Sequence, residues 1–343
     1  MVFEKGINYL YGKNGVGKTN LIEAIYYLGN LESFRTSEDR RLIKDNGFEF
    51  DINAEINNIN YLLKVNIEKK VLIIDGIVYK KYREYLGHVN VVDFTPEDVY
   101  LLKDAPKERR KFIDKEISKI DNEYLNKILI YNKLLKQRNE LLKSMDNYKD
   151  TLLNVIDDKL SEIQVKIITS RQQFLKEISE IINGFKTTLN ERYRFEISYE
   201  CNFEKITKEE ILNKYLQTRD KDKERMVTGI GIHKEDFKFY INGNEASNYG
   251  SQGEQRFIVL LIKLALVNLI NRRINDYPIL VLDDVFSELD SNRKKEIYEI
   301  IKNIEQVFIT GCNEDDLDKF DQVIKYEVRE SKIKKIKEEK NNE

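Results

Sequence analysis

Near the start of the chain stands the stretch Gly12-Lys13-Asn14-Gly15-Val16-Gly17-Lys18-Thr19. This spacing is typical of a phosphate-binding loop, in which glycines let backbone N–H groups close around an anion. Lys18 is placed to reach the β and γ phosphates, and the Thr19 hydroxyl is placed to ligate Mg²⁺. The pattern therefore predicts a site for ATP and Mg²⁺.

The sequence on either side of the loop supports this prediction. Residues 7–11 form a short apolar run typical of a buried strand, and residues 20–28 carry apolar side chains at helical spacing before Gly29. A helix that begins directly after the loop points the positive end of its dipole at the phosphates. The order strand, loop, helix argues against the alternative of an incidental glycine-rich turn.

Composition limits the kinds of protein that fit. The 58 Lys and Arg are balanced by 60 Asp and Glu, so any DNA contact must come from a local basic patch. The two cysteines, Cys201 and Cys312, lack metal-ligand spacing and suit a reducing compartment. No apolar run is long enough to cross a membrane. We therefore expect a cytoplasmic chain with no membrane partner.

The apolar pattern changes along the chain. Strand signals dominate the first hundred residues, and from residue 107 the apolar period becomes helical. One stripe runs from Ile113 to Leu142 and a second from Leu153 to Phe185, which predicts an antiparallel helical hairpin. Strand and helix signals then alternate again. The sequence predicts an α/β ATPase head with a mixed sheet, split by an inserted helical-hairpin lobe.

The predicted parts have defined bounds. Residues 1–105 and 201–328 form the two portions of the head, and residues 106–200 form the hairpin arm. Residues 329–343 are a charged tail that we expect to be solvated and frayed.

Two later segments complete the predicted ATP site. The apolar run 279–282 ends in Asp283-Asp284, where we expect Asp283 to hold Mg²⁺ and Asp284 to polarise the attacking water. The segment Ser251-Gln252-Gly253-Glu254-Gln255 precedes a helix and forms a second anion-binding end. One nucleotide cannot readily use both ends of one subunit. We therefore expect Ser251 to meet the γ-phosphate of a partner subunit's ATP, so that ATP joins a homodimer.

The predicted site residues fall into three sets. The catalytic residues are Lys18 and Asp284, and the metal ligands are Thr19 and Asp283. The predicted nucleotide contacts are Gly12, Lys13, Asn14, Gly15, Val16, Gly17, Lys18, Thr19, Asn20, Ser251, Gly253, Gln255 and Asp290.

Together with Ser287-Glu288-Leu289-Asp290, these segments resemble the head of ABC-type ATPases, in which the last segment is a D-loop at a dimer interface. The long stretch between the phosphate loop and Ser251 resembles the chromosome-maintenance and DNA-repair branch of that group. Within this branch the chain is similar to the RecF family of recombination mediators. The further matching segments, in family order, are Ser33-Phe34-Arg35-Thr36-Ser37, residues 94–99, residues 108–114 and residues 231–236.

The resemblance implies an ATP-dependent DNA-binding switch in DNA replication, the SOS response to DNA damage and recombinational repair. It implies a weak, DNA-stimulated ATPase that closes as a dimer on double-stranded and gapped DNA, works with RecO and RecR, and helps to load RecA. Phosphate binding needs clustered cations, although a solvated charged face is an equally good interpretation of each. The candidate DNA contacts are Arg35, Arg40, Arg41, Lys44, Arg109, Arg110 and Lys111.

The chain departs from the family pattern at several positions. It starts later than the pattern does, so we expect an edge strand and part of the adenine pocket to be missing. Glu254 stands where the family usually has Gln or Arg, and Gly311-Cys312 stands where related ATPases carry a switch histidine. Glu97 lies about where they place a Q-loop glutamine. His233 fits either a structural role or a role near the Ser251 segment or DNA.

Three other functions remain as alternatives. A transporter ATPase subunit would carry the signature segment much closer to the phosphate loop. An ATPase of the overcoming-lysogenisation type usually carries an effector nuclease domain, for which the sequence after Asp290 is short. A binding module that uses ATP only to join subunits is distinguished by Asp284, because a true hydrolase needs that carboxylate for turnover.

Overall fold

The computed structural model describes residues 1–79, 81–85, 87–144, 149–185, 188–189, 194–330 and 332–336, without the side chains of Tyr82, Arg83 and Glu288. The predicted tail from residue 337 and most of the polar break between the hairpin arms, residues 145–148, lie outside these ranges.

The secondary structure alternates between strands and helices at both ends of the chain, with long helices in the middle. The strands are β1 (Gly6–Tyr11), β2 (Glu49–Ile56), β3 (Ile59–Asn66), β4 (Lys70–Ile74), β5 (Ile77–Tyr79), β6 (Val91–Phe94), β7 (Phe195–Glu200), β8 (Asp236–Ile241), β9 (Asn244–Glu245), β10 (Ile279–Leu282), β11 (Gln306–Gly311), β12 (Val323–Arg329) and β13 (Lys332–Lys335). The helices are α1 (Lys18–Asn30), α2 (Tyr82–Tyr85), α3 (Tyr100–Lys103), α4 (Pro106–Ile120), α5 (Asn122–Lys143), α6 (Lys149–Gly184), α7 (Lys208–Arg225), α8 (Ala246–Tyr249), α9 (Gln252–Ile274) and α10 (Ser291–Ile301).

The chain divides into two compact units. The head unit comprises Met1–Asp98 and Lys263–Glu343, and the inserted unit comprises Val99–Ile262. This division differs from the bounds read from sequence, which returned residues 201–262 to the head. The reason is that β7 pairs with β8 in an antiparallel sheet, and α7 packs on α6, so these residues fold with the long helices.

The head unit is built on a mixed six-stranded sheet in the order β13-β12-β1-β11-β10-β6. Strand β1 is parallel to β11 and β12, and β10 is parallel to β11 and β6. Parallel strands end at one edge of a sheet. The loop after β1, the two aspartates after β10 and the end of β11 therefore meet at this edge, as the sequence predicted for a mixed α/β sheet.

The first helix is held between the central sheet and the antiparallel sheet β2-β3-β4-β5 by one apolar core. Ile22 and Tyr27 of α1 share this core with Leu63 of β3 and Phe308 of β11. A Cβ at Gly29 would lie 2.4 Å from the Val91 side chain, so only glycine permits this close approach of α1 to β6. The helix that starts at the phosphate loop is thus fixed against the sheet.

The end of the chain is more ordered than the sequence suggested. The expectation of a frayed tail from residue 329 is wrong for Lys332–Lys335, which pairs antiparallel with β12. Lys335 also forms an ion pair with Glu4, next to β1. The backbone hydrogen bonds between β13 and β12 stabilise this segment as an edge strand, although its lysine side chains favour contact with water.

The inserted unit contains the predicted helical stripes, but the first arm is broken. Asp121 has extended backbone between α4 and α5, and its carboxylate accepts a hydrogen bond from the Tyr124 N–H, which caps α5. The second arm is the single 36-residue helix α6. No helix in the described ranges is long and apolar enough to span a membrane.

A fully buried cation ties the helices of the inserted unit together. The Arg138 guanidinium donates to Asp157 at 2.6 Å, to Asp222 at 2.7 Å and to the Thr228 hydroxyl at 2.9 Å. It also lies over the Tyr215 ring, 4.7 Å from the centroid. The network links α5, α6, α7 and the segment that precedes β8.

Replacing Arg138 with methionine should lower the free energy of unfolding by about 3–5 kcal/mol, because the change leaves a buried carboxylate without its cation. Chemical denaturation followed by circular dichroism measures this difference. The matched control is Lys166→Met, which removes an exposed α6 lysine whose ion pair with Glu162 is worth about 1 kcal/mol or less. Equal losses in the two variants would contradict the assigned role of Arg138.

Candidate nucleotide site

The phosphate loop has the backbone conformation that its glycines allow. Gly15 and Gly17 have φ of +81° and +105°, and Gly17 is the residue that caps the start of α1. A Cβ at Gly12 would lie 2.4 Å from the Val328 carbonyl oxygen. The loop therefore depends on glycine both for its turn and for its approach to β12.

Lys18 lies within the loop rather than on its outside. Its side chain is buried, and its ammonium donates to the carbonyl oxygens of Gly12 at 2.5 Å and Lys13 at 3.0 Å. Thr19 follows at the first turn of α1 and is half-buried. The loop thus encloses a fixed cation at the start of a helix, which is the arrangement that binds phosphate groups.

The two predicted acidic residues stand at the end of β10. The Asp283 N–H donates to the Phe94 carbonyl of β6 at 2.8 Å, which extends the parallel pairing by one residue. The Asp283 carboxylate accepts a hydrogen bond from the Thr310 hydroxyl of β11 at 2.5 Å. Asp283 is therefore held from both neighbouring strands.

The pKa of Asp283 shows which charges act on it. Burial raises this pKa, the hydrogen bond from Thr310 opposes the rise, and the negative charges of Asp284 and Glu97 add to it. The positive charge of Lys18 lowers the same pKa. A cation beside Asp283 would favour its ionised form. The Asp283 carboxylate and the Thr19 hydroxyl both offer oxygen ligands, which suit a hard cation such as Mg²⁺.

Asp284 has an unusual backbone and an unpartnered carboxylate oxygen. Its φ is +51°, in the left-handed region. Its N–H donates to the Thr310 hydroxyl at 3.0 Å, and its carbonyl accepts a hydrogen bond from the Ser287 hydroxyl at 2.9 Å. Oδ1 of Asp284 is buried and has no hydrogen-bond partner among the described residues. A water molecule could occupy this acceptor.

The segment after β6 is fixed by a buried lysine that the sequence showed only as an interruption of an apolar helix. Lys263 of α9 lies 2.8 Å from Asp98 and 3.4 Å from Asp93. Asp98 in turn accepts a hydrogen bond from the Thr95 N–H at 2.7 Å. These contacts hold the segment that carries Glu97, whose side chain is exposed.

The segment after α1 is anchored by a buried glutamate. Glu23 accepts a hydrogen bond from the Ser33 hydroxyl at 2.5 Å and pairs with Arg35 at 3.4 Å. Arg35 also donates to the predicted nucleotide contact Asn20 at 3.1 Å. Asn20, Glu23 and Arg35 line a cavity of about 500 Å³ beside α1. Arg35 therefore contacts α1 through its guanidinium, while 53% of its side chain stays exposed.

The structure separates the candidate DNA contacts into paired and exposed cations. Arg109 forms a bidentate ion pair with Asp236, and Arg110 donates to the Glu235 carbonyl, both within the inserted unit. Arg41 pairs with Glu38. Internal contacts thus engage Arg109 and Arg110, whereas Arg35, Arg40, Arg41, Lys44 and Lys111 are exposed, with Arg35 and Arg41 in ion pairs with Glu23 and Glu38.

The Ser251 segment begins α9 with a capping box. The Ser251 N–H and hydroxyl both donate to the Glu254 carboxylate, at 2.9 and 2.7 Å, and the Glu254 N–H lies 3.3 Å from the Ser251 hydroxyl oxygen. Glu254, where the family usually has Gln or Arg, therefore helps to cap the start of α9. The Gln255 side chain is buried and donates to the Ala246 carbonyl at 2.9 Å, so a nucleotide contact by Gln255 stays a prediction.

Asp290 and Cys312, two other residues that the sequence singled out, have defined hydrogen-bond partners. Asp290 caps α10 by accepting from the N–H groups of Asn292 and Arg293, both at 3.0 Å. The Cys312 thiol donates to the Asn14 side chain of the phosphate loop at 3.1 Å. Cys312 stands where related ATPases carry a switch histidine.

His233 is a half-buried, neutral residue of the inserted unit. Nδ1 accepts a hydrogen bond from the Tyr131 hydroxyl at 2.6 Å, and Nε2 donates to the Thr228 carbonyl at 3.2 Å. Burial lowers the pKa of His233 to about 4. This geometry favours the structural interpretation over a charged contact with DNA.

Comparison with known proteins agrees with this geometry. A family model described as "AAA domain, putative AbiEii toxin, Type IV TA system" matches residues 7–313. The DNA replication and repair protein RecF of Streptococcus thermophilus is 38% identical over 324 residues, which cover 92% of this chain and 88% of that protein. RecF of Clostridioides difficile is 39% identical over 323 residues, with 90% and 86% covered.

The chain belongs to the RecF family. A solved structure of the recombination mediator RecF with ATP has a TM-score of 0.84 and 32% identity, covering 98% of this chain and 93% of that one. An Smc head structure matches with a TM-score of 0.54 at 15% identity, which shows a shared fold. The predictions of the RecF family and of an ABC-type ATPase head are both confirmed.

Proposed function

We propose that this RecF-family protein is an ATP-dependent DNA-binding switch in replication and recombinational repair. ATP closes a homodimer on DNA, and slow hydrolysis opens it. The observation that carries the proposal is the placement of the Lys18 loop, Thr19 and Asp283-Asp284 at one edge of the head sheet. The similarity to a RecF structure containing ATP supports the choice of nucleotide.

Each residue of this edge has a task toward the nucleotide. The loop N–H groups and Lys18 bind the β and γ phosphates, and Thr19 with Asp283 would hold Mg²⁺, which supplies charge neutralisation. Asp284 has a buried acceptor oxygen without a partner among the described residues, and this oxygen would orient the attacking water. The chemistry is phosphoryl transfer to water.

Dimerisation follows from the second helix start. The chain has one helix that begins at the phosphate loop and another, α9, that begins after Ser251. Because the first already serves the phosphates of the bound ATP, the second is available to the ATP of a partner subunit. The Ser251 hydroxyl would then exchange Glu254 for the γ-phosphate.

The DNA and protein partners are those of the RecF family. We propose that the dimer binds double-stranded and gapped DNA in the cytoplasm, cooperates with RecR and RecO, and helps to load RecA. Among the exposed cations of the candidate set, Arg40, Lys44 and Lys111 are best placed to meet phosphate groups, because Arg35 and Arg41 already pair with carboxylates.

Ser251→Arg should retain ATP binding and lose ATP-induced dimerisation, because the larger side chain blocks this helix start. Light scattering with ATP measures the mass of the particle, and fluorescence anisotropy on a gapped duplex measures DNA binding. We expect a folded monomer whose DNA affinity no longer rises with ATP.

The control for this experiment is Asn213→Arg, which adds the same side chain at an exposed position of α7 in the same unit. This variant should dimerise as the parent does. A Ser251→Arg protein that still doubles its mass with ATP would exclude the composite site.

A further inference from the structure

One hydroxyl contacts both residues of the acidic pair. Thr310 Oγ1 donates its proton to the Asp283 carboxylate at 2.5 Å and accepts the N–H of Asp284 at 3.0 Å. A hydroxyl has one proton to donate and two lone pairs that can accept, so Thr310 can form both bonds at once. The bond to Asp283 uses its only donor. Thr310 thus couples the side chain of one aspartate to the backbone of the next.

The position of Thr310 fixes this hydroxyl in space. Thr310 is only 1% exposed and lies on β11, opposite Leu10 of the parallel neighbour β1. Its backbone belongs to the central sheet, and its β-branched side chain has few rotamers. A buried polar group in such a place is held by its hydrogen bonds rather than by water.

Asp284 depends on contacts of this kind because its backbone is strained. A non-glycine residue at φ +51° is held in place by its surroundings. The Thr310 hydroxyl binds its N–H and the Ser287 hydroxyl binds its carbonyl, while Oδ1 has no partner among the described residues. These two hydrogen bonds fix the Asp284 backbone at its N–H and at its carbonyl, which restricts the orientation of its carboxylate.

We propose that Thr310 is a positioning residue for hydrolysis, which holds Asp283 and Asp284 in the relative orientation that turnover needs. This inference rests on the proposed function, since it assigns Asp284 to the attacking water. Thr310 does not contact the nucleotide in this scheme. Its effect should therefore appear in turnover and not in nucleotide affinity.

The test compares Thr310→Val, which keeps the branched shape, with Thr310→Ser, which keeps the hydroxyl. Single-turnover hydrolysis should fall roughly 10- to 100-fold in Thr310→Val and recover to within about 3-fold of the parent in Thr310→Ser. Titration with a fluorescent non-hydrolysable ATP analogue and Mg²⁺ should give affinities within about 3-fold for all three proteins. Thr310→Ala serves as a second variant without the hydroxyl if Thr310→Val does not fold.

The outcomes separate this proposal from the function on which it rests. Parent-like hydrolysis in a folded Thr310→Val or Thr310→Ala protein overturns the positioning role. Equal losses in Thr310→Val and Thr310→Ser show that packing, and not the hydroxyl, matters, which also overturns it. Asp284→Asn is measured in parallel: if this variant hydrolyses ATP as fast as the parent, Asp284 is not the base and the role of Thr310 is excluded with it, and if the parent itself shows no turnover above the protein-free rate, the hydrolytic function is excluded.

Discussion

Replacing Lys18 with alanine should lower ATP affinity by about 100-fold or more, and ATP-dependent DNA binding should be lost with it. The reason is that the Lys18 ammonium is enclosed by the loop itself, where it meets the Gly12 and Lys13 carbonyl oxygens. A charge-assisted hydrogen bond to phosphate is worth about twice a neutral hydrogen bond, or about 1.5–3 kcal/mol. Equilibrium titration with ATP and Mg²⁺ measures the loss.

The control for Lys18→Ala is Lys64→Ala, which removes an exposed lysine of β3 in the same unit. Its ATP affinity should match that of the parent protein. Circular dichroism should show that both variants are folded, because the loop carbonyl oxygens can bind water once the ammonium is absent. Unchanged ATP affinity in folded Lys18→Ala would exclude the phosphate loop as the nucleotide site.

Asp284→Asn should reduce turnover by about 100-fold or more, the usual scale for a group that takes a proton from the attacking water. The amide keeps the size of the side chain and can keep the backbone contacts to Thr310 and Ser287. ATP binding should survive, since Asp283 and the loop are intact. The ATP-bound dimer should then persist, and its complexes with gapped DNA should dissociate more slowly.

Two measurements on one preparation decide this prediction: single-turnover hydrolysis and residence time on DNA. Asp51→Asn is the control, since it makes the same change at an exposed position of β2. Normal hydrolysis by Asp284→Asn would reject Asp284 as the base. Slow hydrolysis with an unchanged residence time would keep the ATPase and reject the switch.

The local parts of the site could be predicted from sequence because each is a short pattern with its own geometry. The phosphate loop needs only glycine spacing and a following helix, and the structure shows both at Gly17 and Lys18. The aspartates need only an apolar strand before them, which β10 provides. Family and fold followed from the order of these patterns along the chain.

The parts that sequence reasoning missed depend on partners far away in the chain. Arg109 looked like a free cation in a basic cluster, yet its partner Asp236 follows 127 residues later. The sequence gives no sign of Thr310, because its hydrogen bonds to Asp283 and Asp284 form only when β11 lies beside β10. The break at Asp121 was hidden because the apolar period continues across it, although aspartate is a good helix cap.

The pairing of β1 has a consequence for how the protein is made. Its two neighbours are β11 and β12, so Gly6 pairs with Gln306 and Ile7 with Val323. During synthesis the apolar β1 emerges about 300 residues before either of its partner strands, whereas the inserted unit is complete once Ile262 has left the ribosome. A chain that stops before Gln306 would lack both strands that pair with β1, the strand that leads into the phosphate loop. We therefore expect the protein to bind nucleotide only late in folding. Until then the apolar β1 is exposed, and chaperones or other unfolded chains can bind to it.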